Sequence, residues 1–245
     1  MGVLPMGGRD LERPEYTLRV DEVGDDVPVL WIHHALGSFL PFVDPAFGAP
    51  AAAVAARGCR VIGFDLAGHG RSSALAEFPE DFLQRTVDDA VAVLESCGIG
   101  AAAAVVGVGF GAVVALRVAA ATPRRVRCVV ADSLPGLVAS TPLEPWDGPA
   151  APFDDGYDRR PAWLRFVAGL SGAGGLLPPG FRVDLPALML TCGASGFGEM
   201  ARVQHMARTI GGAKVAWAPA PAPPASLQAG SFFISEVEKF LAAYA

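Results

Sequence analysis

The sequence predicts an α/β protein, a mostly parallel central sheet flanked by helices, forming one domain over residues 1–245 with a short lid at about 134–184. Three observations lead there. Short apolar runs alternate with stretches of helical period along most of the chain, the pattern of repeated strand–helix units. Three of those runs empty into glycine-rich loops, "HHALGS" (33–38), "DLAGHGRSS" (65–73) and "GVGFGA" (107–112). Finally, 245 residues with 52% hydrophobic content can bury one large core.

Each element follows in order. Thr17–Glu22 alternates as a strand, and Gly24–Pro28 reads as a turn. The acidic cluster Asp21–Asp26 is expected to be solvated and not a metal site. Val29–His33 is a short strand, Ala49–Ala56 an alanine-rich helix stopped by Gly58, and Arg60–Phe64 a buried strand ending at Asp65. Over Glu80–Ser96, Phe82, Val87, Val91 and Leu94 recur at helical spacing, which turns Asp81, Asp88 and Asp89 outward. Strand Ala102–Val106, helix Phe110–Ala121 and strand Arg127–Ala131 come next, with Thr122-Pro123 closing the helix. From Leu134 to Asp184 the rhythm breaks into a Pro-, Gly- and aromatic-rich excursion holding a helix or two; Trp163 and Phe166 are among its aromatics. The sheet resumes at Ala187–Thr191. Helix Glu199–Ile210, strand Lys214–Trp217, the loop "APAPAPPAS" (218–226) and a helix at Ser231–Ala243 complete the chain.

Composition excludes several functions. A net charge of −6 offers no basic footprint for nucleic acid. Four widely spaced cysteines without a C-x-x-C pair argue against a disulfide framework or a zinc site, and suggest a cytoplasmic protein with reduced thiols. The uncharged stretch Cys97–Leu116 is long enough to span a bilayer, but its glycines read better as a turn between a buried strand and a buried helix. No membrane, metal or cofactor is expected as a partner, and a small-molecule substrate or ligand is.

One segment, "VVGVGFGAVVALRVA" (105–119), fits two machines. Gly107, Gly109 and Ala112 satisfy the dinucleotide fingerprint, and Asp132 follows at about the distance of a ribose-binding acid. The same residues fit a nucleophile elbow, G-x-S-x-G, with Gly109 in place of the serine. The upstream segments favour the elbow. "PVLWIHHALGS", the loop with Asp65, Gly68, Gly70 and Ser72, and the 105–119 segment together resemble, in order and spacing, the α/β-hydrolase fold family. The likeness is to its small lipase, lactonase and C–C hydrolase-like branches.

That resemblance implies a nucleophile at 109, an acid after "LPALMLTCG" and a histidine in the penultimate loop. Here the residues are Gly109, then Ala194, Ser195 and Gly196, then "APAPAPPAS". No conventional serine-hydrolase triad is expected. What the resemblance retains is an oxyanion hole formed by the amides of Phe110, after Gly109, and of Ala35 or Leu36. His34 is the candidate base and Asp132 a second candidate catalytic residue, while His33 and His69 are expected to be structural. Ser38, Ser133 and Ser195 are candidates for a replacement nucleophile, none expected on an elbow. The reading is a non-hydrolytic, cofactor-independent enzyme of lyase, cyclase or isomerase type on a small apolar carbonyl or enol substrate. The alternatives are an inactive ligand-binding or scaffold protein, a hydrolase with a non-standard nucleophile or activated water, and a dinucleotide binder.

Overall fold

The computed structural model describes residues 6–101, 103–134, 160–172, 176–178, 180–192, 197–219 and 224–244. In chain order these form β1 (Met6–Glu12), β2 (Thr17–Val23), β3 (Val27–Ile32), α1 (Pro50–Ala55), β4 (Cys59–Phe64), α2 (Phe82–Ser96), β5 (Ala103–Val108) and α3 (Phe110–Ala121). There follow β6 (Val126–Asp132), α4 (Arg160–Gly172), β7 (Ala187–Cys192), α5 (Phe197–Thr209), β8 (Lys214–Ala218), α6 (Ala225–Gln228) and α7 (Gly230–Tyr244). The strands make one 8-stranded sheet in the order β1-β2-β4-β3-β5-β6-β7-β8. Only β1 and β2 run antiparallel to their neighbours. The expected mostly parallel sheet with flanking helices is therefore present.

Alternation along β3 shows how the sheet builds two cores. Leu30 and Ile32 face a cluster that α2, α3, α4 and α5 cover, through residues such as Val87, Val113, Trp163 and Ala207. Val29 and Trp31 face the opposite cluster, with Val54 of α1 and Phe233, Val237 and Phe240 of α7. The uncharged stretch 97–116 divides between β5 and α3, and no helix among the described residues is long and apolar enough to cross a membrane.

Several local expectations change. β1 was not expected, because "MGGRDLE" has no apolar alternation; pairing along the whole of β2 makes it a strand. The turn expected at Gly24–Pro28 ends sooner, since β3 starts at Val27. Asp21 is fully buried and not solvated, paired with Arg19 and with Arg71 of the 65–73 loop. Asp89 is likewise buried, accepting from Arg13 Nε at 2.7 Å and from the Tyr16 hydroxyl, which ties the first hairpin to α2. Both carboxylates answer to partners distant in sequence, which helical or strand period cannot reveal. Of the 134–184 excursion, the described part includes α4; Trp146, Phe153 and Tyr157 lie outside the described residues.

Asp65 organises the edge where function is expected. It is fully buried, and its two oxygens accept the Phe39 amide at 2.7 Å and the Arg71 amide at 2.8 Å. It thereby fastens the loop after β3 to the loop after β4. Asp65→Ala removes the acceptor of both amides, the Phe39 one buried and the Arg71 one part-buried, and is expected to cost about 2–5 kcal/mol, read from denaturant unfolding.

Candidate functional site

The site lies where β3, β5 and β6, adjacent in the sheet, reach their C-terminal ends. β5 runs through Gly107 and Val108, two residues beyond the expected end, and delivers the chain directly to residue 109. Gly109 has φ +56° and ψ −121°, backbone angles that only glycine adopts without strain. Helix α3 starts at once with Phe110, and no side chain caps it. The first amides of that helix have no intrahelical acceptor and point their partial positive charge toward the strand ends. Close packing holds the helix there: a Cβ on Gly111 would sit 2.3 Å from the Ile32 carbonyl oxygen, and one on Gly107 2.1 Å from that of Gly111.

The end of β3 supplies the facing turn. The Gly37 amide donates to the His34 carbonyl, making Ala35 and Leu36 the central residues. Leu36 takes φ +57° although it is not glycine, a conformation that must be held by its surroundings. His33 is fully buried; its Nε2 accepts the Leu66 amide at 3.0 Å, and its Nδ1 donates to the His34 carbonyl at 2.7 Å. Its role in bracing the two loops matches the structural reading. Burial, with the neighbouring His34, depresses its pKa to about 3.

His34 is 6% exposed, and its Nδ1 lies 3.0 Å from the Ala35 carbonyl oxygen, so that nitrogen carries the proton and Nε2 is the basic one. Burial also lowers its pKa, keeping the ring neutral. The ring packs over Gly37, where a Cβ would come within 2.3 Å of it. His34 and residue 109 share space: a Cβ on Gly109 would lie 3.1 Å from the His34 Cβ.

On the other side, the Gly109 amide donates to the Asp132 carbonyl at 2.9 Å. The Asp132 carboxylate is fully buried, taking the Ala225 amide at 3.0 Å, the Ser226 amide at 2.8 Å and the Ser133 hydroxyl at 2.7 Å. Burial pushes its pKa up, and these donors work against that. The acid that a dinucleotide reading assigns to ribose is thus engaged with the start of α6. Ser133 was not expected on a strained turn, yet it has φ +54°. Ser38 is buried, and Ser195, with Ala194 and Gly196, lies outside the described residues, as do 220–223. His69 is buried and stacked on Phe82 at 6.2 Å, and His205 is exposed on α5.

The structure therefore brings His34, Ala35, Leu36, Gly109, Phe110 and Asp132 to one edge. Above them, Trp163 and Phe166 of α4 pack with Phe82 and Phe110, Trp163 edge-on to Phe110 at 5.0 Å. Among the described residues no group of three or more His, Cys, Asp or Glu could hold a metal ion.

With that architecture in view, the comparisons identify the class. A family model described as the alpha/beta hydrolase fold matches residues 28–167, and the chain belongs to this family. Among solved structures it is similar to 2-hydroxy-6-oxo-6-phenylhexa-2,4-dienoate hydrolase from a Rhodococcus strain, with TM-score 0.72 and 15% identity over 97% of this chain and 99% of that one. An epoxide hydrolase from Vigna radiata gives TM-score 0.71 and 14% identity, covering 98% of both chains. The thioesterase domain of a curacin biosynthetic pathway gives TM-score 0.68 and 17% identity, covering 95% and 99%. At these identities the likeness concerns the fold alone. No curated protein matches the sequence.

Two outcomes are expected. The unfolded chain binds protons on His33 and His34 near the ordinary 6.5 while the fold resists them, so stability is complete above that value and falls with pH toward about 3. The slope approaches about 1.4 kcal/mol per pH unit for His33, with His34 adding in the same direction; denaturant midpoints at neutral and mildly acidic pH should differ, and His33→Gln should shrink the difference. Gly109→Ser should destabilise by about 1–3 kcal/mol through its backbone angles, with the His34 contact adding to the cost. Adding His34→Gly should recover part of the loss in a double-mutant cycle.

Proposed function

We propose that this α/β-hydrolase-fold protein performs cofactor-independent, non-hydrolytic chemistry of lyase, cyclase or isomerase type on a small apolar carbonyl or enol compound. One observation carries the reading. The elbow keeps its positive-φ turn and the helix N-terminus behind it, while residue 109 has no side chain and the His34 Cβ stands 3.1 Å from the position where one would begin. An electrostatic site for a developing oxyanion is thereby paired with a base in place of a nucleophile.

The chemistry follows from those groups. A substrate carbonyl oxygen set toward the Phe110 amide and the amide of Ala35 or Leu36 gains charge as an adjacent C–H bond breaks. The proton passes to His34 Nε2, and the electron pair moves into the new C=C bond and onto oxygen. Donors already oriented stabilise that oxygen without reorganising. Return of the proton to another carbon isomerises the substrate, and loss of a leaving group makes the reaction a lyase step. His34 is neutral, so its Nε2 carries a basic lone pair, while burial makes the ring a weaker base than a solvated histidine. Trp163 and Phe166 of α4 are buried in the apolar core against Phe110 and keep water from that side of the helix start. A cytoplasmic setting fits four cysteines that form no disulfide.

The test uses phenylacetone in deuterium oxide, with α-proton exchange followed by proton NMR. Wild type should accelerate exchange, and His34→Ala should lose about a hundredfold of that rate. A fluorophosphonate probe should label no serine. Exchange indifferent to His34, or a labelled serine, would overturn the proposal.

A further inference from the structure

The three adjacent strands that form the site all end in left-handed residues: Leu36 just past β3 at φ +57°, Gly109 past β5 at φ +56°, and Ser133 past β6 at φ +54°. Ser133 is the one of the three with a hydroxyl. Strand register pairs Val108 with Asp132, which sets Ser133 beside Gly109, and Ser133 is only half-buried. A residue needed merely to make this turn would be better as glycine, which bears the conformation without strain. The hydroxyl is what serine adds.

Its surroundings define what that hydroxyl can do. Its one proton goes to Asp132 Oδ1 at 2.7 Å. Asp132 is anchored by the Ala225 and Ser226 amides, and the Ser133 amide itself donates to the Leu190 carbonyl at 2.8 Å, so neither partner is loosely held. With its proton committed, Ser133 Oγ offers only lone pairs and acts as an acceptor. The Ala225 and Ser226 amides hold the Asp132 carboxylate in place, and the carboxylate in turn fixes the Ser133 hydroxyl, so the arrangement is well suited to holding an acceptor in position.

We infer that Ser133 is a specificity-determining residue of this site, its Oγ accepting a hydrogen bond from a hydroxyl that the ligand carries next to its carbonyl group. The inference rests on the carbonyl reading of the site given above and narrows it. The Phe110 amide is a donor at the end of β5, and Ser133 Oγ is an acceptor at the end of β6, on strands about 4.8 Å apart. A carbonyl oxygen and a hydroxyl on neighbouring carbons complement that pair. The substrate class is then a hydroxy ketone or the enol of a dicarbonyl compound, and a simple ketone or an ether lacks the second contact.

The experiment compares α-hydroxyacetophenone with α-methoxyacetophenone, which differ in the hydroxyl proton, by ligand-observed NMR titration of the full chain. Wild type should prefer the hydroxy ketone by about tenfold, the worth of one hydrogen bond. Ser133→Gly, which suits φ +54° and leaves Asp132 its two amide donors, should bind both equally. Equal affinity for the two in wild type, or a preference that persists in Ser133→Gly, overturns the role of Ser133 while leaving the carbonyl site intact. Binding of neither ketone overturns the carbonyl site and this inference together.

Discussion

The candidate site depends on how closely the start of α3 approaches the sheet. At Gly107 and Gly111 a single methyl group would run into backbone atoms, among them the Ile32 carbonyl at 2.3 Å from the Gly111 position. That contact seats the helix N-terminus directly over the ends of β3 and β5, and its free amides inherit their direction from it. Move the helix outward by the width of a side chain, and the Phe110 amide and the 34–37 turn no longer share an edge. The positive φ at Gly109 is the other half of the same constraint, because the chain must reverse within one residue to enter so close a helix.

Two buried aspartates brace that edge from either side by the same device. Asp65 takes backbone amides from the loops after β3 and β4, and Asp132 takes backbone amides from the start of α6 and the hydroxyl of Ser133. Each carboxylate substitutes for a solvent shell that the loop amides have lost, and each converts an irregular connection into a rigid one. His33 does the same work as a neutral ring, with one nitrogen accepting and the other donating. This bracing allows Leu36 and Ser133 to remain in conformations that isolated residues of their type avoid. The same economy of space holds at the elbow, where the His34 Cβ lies 3.1 Å from the position a Cβ on Gly109 would take.

Much of this was legible in the residues. The glycine pattern after 107, the D-x-x-G-x-G-x-S loop at 65–72 and the doubled histidine at 33–34 located the edge, because tight turns and close approaches demand particular residue types. The bounds of α3 match the expected Phe110–Ala121. β1 escaped notice because an edge hairpin strand with two glycines and three charges has no periodic signal. Asp21 and Asp89 read as surface residues because local period counts faces and not distant arginines. Ser133 was considered as a replacement nucleophile and not expected on a strained turn; its positive φ goes with the β6–β7 and α6 contacts around it.

The sequence by itself determined the α/β class, most of the alternation of strands and helices from β2 onward, and the glycine at position 109. These are consequences of hydrophobic period and of residue identity, both local properties. Only the tertiary structure decided which carboxylates are buried, that the His34 Cβ stands against residue 109, and that Ser133, just past β6, takes a positive φ beside Gly109. Those facts depend on contacts between segments tens of residues apart, where burial and hydrogen-bond satisfaction, and not local propensity, select the conformation.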